Sequence, residues 1–247
     1  MPASDPRIAD LVAAGKIRLA LFLPQFSIAP TGELKGHGTG LIAIELMRAF
    51  AERNGIAMEV VQCPTPSNAL ERLQSDGCDV NFAGIEPSRV KIVDFTPAVF
   101  EFDYAYMVPA GSAIRHNAEV DRPGVRIAIV GNHASALALG RLVKHATMVA
   151  EELPEASFAL LRDGKADVFA LPRDVLLGFA ARLPGSRVLD ESFGFNRVGI
   201  AMRKGRPERV AALSEFVEDA KRTGLVADII TRNAATLPGF RAAPAGG

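Results

Sequence analysis

LQSDGCDVNFA (residues 73–83) and LLRDGKADVFA (residues 160–170) state one plan twice. Each holds an apolar helix end, an Asp-Gly turn and an Asp-Val pair that opens a buried strand. Upstream of the first lies IRLALF (17–22), and upstream of the second VRIAIV (125–130). Runs with so little polarity are those of strands covered on both faces. Two α/β units on one plan predict two lobes with a cleft between them. The copies then diverge: the first strand runs into GIEPSRVKIVDF (84–95), the second into LPRDVLL (171–177).

Outward from these stretches, strands and helices alternate. In the first half, strands are predicted at 17–23, 58–62 and 80–83, with helices at 41–54 and 66–74. In the second half, strands are predicted at 125–130, 146–149, 168–171 and 187–189, with helices at 135–144, 154–162 and 174–182. Strand–helix–strand order implies right-handed crossovers and parallel sheets. DFTPAVFEFDYAYMVPAG (94–111) is a long extended stretch that crosses from one lobe to the other, and the apolar run 198–202 crosses back. The first lobe is therefore expected to hold residues 1–107 and 200–247, and the second residues 108–199. A paired hinge near 107–110 and 199–203 lets such lobes close on a ligand. After it, 207–222 reads as an amphipathic helix with Pro207 in its first turn, followed by a helix over 227–232. The small, Pro/Gly-rich tail 242–247 is expected to be disordered.

Composition removes several function classes. The 28 basic and 28 acidic residues cancel, so no broad electrostatic grip on nucleic acid or an anionic membrane is expected. With no Trp and two Tyr, there is no stacking platform for single strands. No segment approaches the roughly 20 apolar residues of a membrane span. The charged first twenty residues contain no signal-peptide core, which leaves either a periplasmic protein whose leader is absent here or a cytoplasmic one. The four histidines lack metal-site spacing, and neither GxSxG nor a phosphate-binding glycine loop occurs, so no metal, cofactor or nucleophile is expected. Cys63 and Cys78 are assigned to opposite ends of parallel strands, too far apart for a disulfide.

Ligands of such sheets sit beyond the carboxyl ends of the strands. Gly84 lets a ligand approach the backbone, and Arg89 stands one turn into a short helix opened by Pro87. Its guanidinium offers a bidentate clamp for a carboxylate; the other reading is a surface arginine paired with Glu86 or Asp94. Gly131, Asn132, His133 and Ser135 join a buried strand to a helix, with free N–H groups facing the cleft for an anion. Asn132 or Ser135 is alternatively the cap of that helix, and His133 is either a ligand donor or a solvated loop histidine. Phe26 either lies against the ligand or closes the edge of the core.

These residues resemble the family 3 extracellular solute-binding proteins, the amino-acid-binding components of ABC importers, over about residues 16–235. GIEPSRVKIVDF is similar to the family's signature of a short polar loop, Thr-Pro-Glu-Arg and Val-Asp-Phe. The resemblance places Arg89 on the arginine that holds the ligand's α-carboxylate. It places 24–26 on the aromatic segment that packs on the ligand, and 131–135 on the loop that shares the carboxylate. It implies an α/β fold, the two-lobed type II periplasmic binding protein fold. Each lobe is then a mainly parallel sheet flanked by helices, with two extended hinge crossings. It also implies a non-enzymatic monomer that binds a small carboxylate-bearing ligand and partners an ABC permease. The departures are Glu86 for the family's threonine, and Pro172 where its second-lobe aspartate meets the α-ammonium. Unless Glu86 or Asp174 supplies the missing acceptor, the ligand is expected to be a carboxylate with a neutral or apolar remainder rather than a plain amino acid. Two other functions stay open: a cyclohexadienyl or arogenate dehydratase with Glu86 as general acid, and a cytoplasmic sensor domain.

Overall fold

The computed structural model describes residues 5–22, 25–31, 33–131 and 133–246. The chain divides into two compact units. Unit 1 comprises Met1–Glu101, Arg197–Leu237 and Arg241–Gly247; unit 2 comprises Phe102–Asn196 and Pro238–Phe240.

In chain order the helices and strands are α1 (Ala9–Ala14), β1 (Lys16–Phe22), β2 (Phe26–Ile28), β3 (Leu34–Gly36) and α2 (Thr39–Asn54). Then come β4 (Ala57–Cys63), α3 (Pro66–Gln74), β5 (Val80–Gly84), α4 (Pro87–Val90), β6 (Val93–Phe95) and β7 (Phe100–Val108). The middle of the chain adds β8 (Arg126–Val130), α5 (Ala134–Leu142), β9 (Thr147–Glu151), α6 (Pro154–Arg162), β10 (Val168–Pro172), α7 (Arg173–Ala180) and β11 (Arg187–Val188). It closes with β12 (Gly194–Arg203), α8 (Pro207–Arg222), α9 (Leu225–Arg232) and β13 (Phe240–Ala242).

Unit 1 is built on β1, which pairs in parallel with β4 on one side and β5 on the other. β12 runs antiparallel on the far side of β5. Ile17, Leu19, Ala20 and Leu21 are fully buried, because α2 and α3 contact the central strand and cover its side chains. Thr65 starts α3 by accepting the Asn68 N–H through Oγ1, and Pro66 fills its first turn, where no N–H is needed.

Unit 2 repeats the scheme, with β8 between β9 and β10 in parallel and β7 antiparallel on the far side of β10. Along β10, Phe169 and Leu171 enter one apolar cluster while Val168 and Ala170 enter the other. That period of two with both faces buried is why the strand reads as an unbroken apolar run. Phe158, Phe169 and Phe179 fill the first cluster, with Phe158 and Phe179 stacked at 4.6 Å.

The repeated sequence has a repeated structural job. Asp79 accepts the Arg18 N–H at 2.8 Å and its Nε at 3.0 Å, and the Asp79 N–H returns to the Arg18 carbonyl at 2.9 Å. Asp167 does the same for Arg126, at 2.9, 3.0 and 2.9 Å. In each unit this aspartate pins the start of its own strand to the start of the neighbouring central strand. The two Asp-Gly pairs nevertheless do not superpose. The left-handed residue is Asp76 (φ 61) in unit 1 and Gly164 (φ 67) in unit 2. The second copy carries one more residue between turn and strand, so Asp76 occupies the place that glycine fills more cheaply in its twin.

Cys63 ends β4 rather than following it, and it lies with Cys78 in one buried cluster beneath Ala69 and Leu73 of α3. Both thiols are free. The tail also departs from expectation. Its described residues 242–246 are ordered by long-range partners: Lys221 Nζ donates to the Pro244 carbonyl at 2.9 Å, and the Gly246 N–H to Glu218 at 2.7 Å. Pro/Gly-rich composition is outweighed here by docking that no local pattern shows.

Candidate functional site

Because β1 and β5 are neighbours and parallel, their carboxyl ends lie together in unit 1. The loop after β1 turns back at Gln25, whose N–H meets the Phe22 carbonyl at 2.8 Å. Its own carbonyl accepts from His37 at 2.8 Å. A Cβ on Gly40 would lie 2.1 Å from that carbonyl, so this glycine lets the first turn of α2 rest on the loop backbone. Phe26 follows at 4% exposure, and of its two readings the core-edge one matches this burial. Pro24 lies outside the described residues.

β5 ends at Gly84, and Glu86 stands at the start of α4, half-buried, without capping it through its side chain. Arg89 folds back so that Nη1 donates to the Gly84 carbonyl at 3.2 Å. This bond fixes the guanidinium over the strand end, with the planar fork geometry that suits a carboxylate.

In unit 2 the ends of β8 and β10 are likewise neighbours. The loop after β8 corrects one expectation. The Gly131 N–H is taken by the Glu151 carbonyl at 2.8 Å and the His133 N–H by the Val130 carbonyl at 3.2 Å. These donors complete the strand end and the turn, so they are not open to an anion. The cap of α5 is His133, not Ser135: Nδ1 accepts the Ser135 N–H at 3.2 Å and lies 2.8 Å from the Ser135 hydroxyl, itself fully buried. Asn132, the other candidate cap, lies outside the described residues. Since His133 caps through an accepting nitrogen, His133→Ala should cost about 1 kcal/mol of stability, and His133→Asn should restore most of it. Equal losses in chemical denaturation of both variants would mean that the cap contributes nothing.

Pro172 ends β10 buried, opposite Tyr104 across the β7 ladder, and offers no side-chain acceptor. The next turn has a more informative residue. Arg173 is spent on structure, donating to the Leu189 and Asp190 carbonyls at 2.9 Å each. Asp174 holds a carboxylate oxygen, Oδ1, buried without a hydrogen-bond partner among the described residues. Burial pushes its pKa up to about 6, against backbone N–H groups that lower it. A carboxylate so placed is a seat for a cation or a donor. The family resemblance put Pro172 first at this position. The signal for Asp174 was the polar residue just beyond a buried strand end.

The remaining buried charges belong to the frame. Arg209 of α8, 5% exposed, reaches Asp79 at 3.5 Å and also pairs with Asp10. Burial raises the Asp10 pKa, but Arg209 and Arg206 outweigh it and hold the carboxyl below its usual range. Among the described residues no three His, Cys, Asp or Glu side chains form a metal-binding group. Among the same residues no helix is long and apolar enough to cross a membrane.

The model of the bacterial extracellular solute-binding proteins, family 3, matches residues 22–234. The chain belongs to that family. Solved structures support the same fold for this family 3 protein. A receptor for L-cysteine from Neisseria gonorrhoeae is 17% identical, with a TM-score of 0.75 over 96% of this chain and 99% of that one. An ABC-transporter binding component from Wolinella succinogenes, complexed with lysine, is 21% identical, with a TM-score of 0.73 over 88% and 95%. A mutant of ArgBP from T. maritima is 19% identical, with a TM-score of 0.72 over 93% and 99%. Among curated proteins, none matches the chain. At these identities the likeness establishes the type II periplasmic binding protein architecture, and the ligand has to be argued from the side chains.

Proposed function

We propose that this family 3 protein is the periplasmic capture component of an ABC importer, binding a small metabolite that carries both a carboxylate and a cationic nitrogen. The observation that carries this reading is the buried, unpartnered Oδ1 of Asp174 at a strand end of unit 2. At a strand end of unit 1, Arg89 folds back so that Nη1 donates to the Gly84 carbonyl. Arg89 takes the ligand's carboxylate in a charge-assisted pair. Asp174 takes the ammonium and so replaces the acceptor that Pro172 lacks. An amino acid or a close relative satisfies both ends, and the other reading, a carboxylate with an apolar remainder, leaves Asp174 unmatched.

Calorimetry with the twenty common amino acids beside matched organic acids lacking the nitrogen tests this. Amino acids should bind and their deaminated analogues should not. Equal affinity for both series would remove Asp174 from the site. Arg89→Ala should weaken binding about 10- to 150-fold, the equivalent of a charged hydrogen bond worth about 1.5–3 kcal/mol, without loss of fold. Incubation with prephenate or arogenate checks the dehydratase alternative, and turnover there would overturn the binding-protein reading.

A further inference from the structure

The chain leaves unit 1 at Glu101–Phe102, within β7, and returns at Asn196–Arg197, within β12. The tail runs beside the first of these passages. β13 runs antiparallel beside the start of β7, with the Asp103 N–H on the Gly239 carbonyl at 3.2 Å and the Ala243 N–H on the Val99 carbonyl at 3.1 Å. One bond lies in unit 2 and the other in unit 1, so the tail strand spans the point where the chain passes over. The Phe102 and Phe240 rings stack at 5.1 Å beside it.

At the same point sits Glu101, only 6% exposed. Its Oε2 accepts from Arg241 of the tail at 2.9 Å, and its Oε1 from Arg197, the first residue of the return passage, at 3.0 Å. One buried carboxylate thus ties outgoing strand, returning strand and tail together. Beyond it the tail is moored to α8 through Lys221 and Glu218.

We infer that the C-terminal segment 238–246 is a splint on the hinge strand, clamped through Glu101, and that it sets how easily the passage at Glu101–Phe102 bends. A single strand bends by changing a few backbone dihedrals. A strand with a partner laid across the bend must break ladder bonds or carry its partner along. Here bending would also disturb the buried Glu101 carboxylate, which accepts from the guanidinium groups of both Arg197 and Arg241.

Hydrogen exchange on the ligand-free protein tests the inference independently of the solute-binding reading. A chain ending at Leu237 and the full-length variant Arg241→Ala are compared with the wild type. Amides of β12 from Arg197 to Ile200 should exchange at least about tenfold faster in both, while β1 and β8 keep their protection. Arg241→Lys should recover part of the difference. Unchanged exchange in β12 would overturn the splint, and so would a uniform rise over both units, which would make the tail a general stabiliser. If the shortened chain does not fold, Arg241→Ala and Arg241→Lys carry the same comparison.

Discussion

Asp79→Ala is expected to destabilise the protein by about 3–5 kcal/mol, whereas Asp167→Ala at the equivalent place in unit 2 should cost about 1 kcal/mol or less. The two aspartates make the same bonds to the start of the central strand, so the local motif predicts equal losses. Their surroundings differ. Asp79 has a side chain 6% exposed and also answers Arg209, which is 5% exposed. Removing it leaves the buried Arg209 guanidinium with one carboxylate, that of the more exposed Asp10, in place of two. Asp167 and Arg126 are 37% and 40% exposed, and water takes over when either is lost. Urea unfolding of the two variants decides between the accounts. For a chain of this size the larger loss corresponds to a fall in Tm of about 6–20 °C. Equal losses would show that the strand pin, and not the charge of Arg209, governs the cost.

Asp174→Asn should do the opposite to stability while removing binding. A carboxyl with a folded pKa of about 6 and an unfolded value near 4 holds its proton more tightly in the native state. Its effect on stability is therefore most favourable below about pH 4. That effect is lost as the pH rises to about 6, and at pH 7 the folded protein carries a penalty of about 3 kcal/mol. Asparagine removes the charge and with it the penalty, so the variant should be more stable at pH 7 and no more stable at pH 4. Affinity for an amino acid should fall by at least about tenfold, because the ammonium then meets a neutral amide. Such opposed changes are the signature of a residue kept for function at the expense of stability. A variant that is no more stable at pH 7 would mean that Asp174 finds a partner in solution.

The two-unit architecture was legible because its signals are local. Periodicity placed the helices over 66–74, 154–162 and 207–222 at the ends they have in the structure. The fold-back of Arg89 over the strand end was legible for a similar reason: Gly84, Pro87 and Arg89 lie within six residues, so geometry follows from spacing. What escaped depends on partners far along the chain. Arg18 and Asp79 are 61 residues apart, and nothing in IRLALF says that its arginine will be bonded to the aspartate of the next unit of pattern. The loop 131–135 looked like an open anion site because the sequence shows the turn but not Glu151, whose carbonyl takes the first N–H. The tail looked disordered because composition does not show Val99, Glu101 and Lys221 waiting for it. Asp174 fell between the two kinds. Its place beyond a buried strand was visible, but its unpartnered oxygen was not, and the family pattern drew attention to Pro172 instead.

The two free cysteines have a practical consequence for spectroscopy. Cys63 and Cys78 are shielded from solvent, and desolvation raises both thiol pKa values, that of Cys78 to about 12. Almost no thiolate is present near neutral pH, and maleimide reagents and oxidants attack the thiolate. A fluorophore can therefore be attached to a new surface cysteine in the native protein without first replacing either natural one. Dye pairs that report on distances within the molecule become accessible in an otherwise unaltered chain.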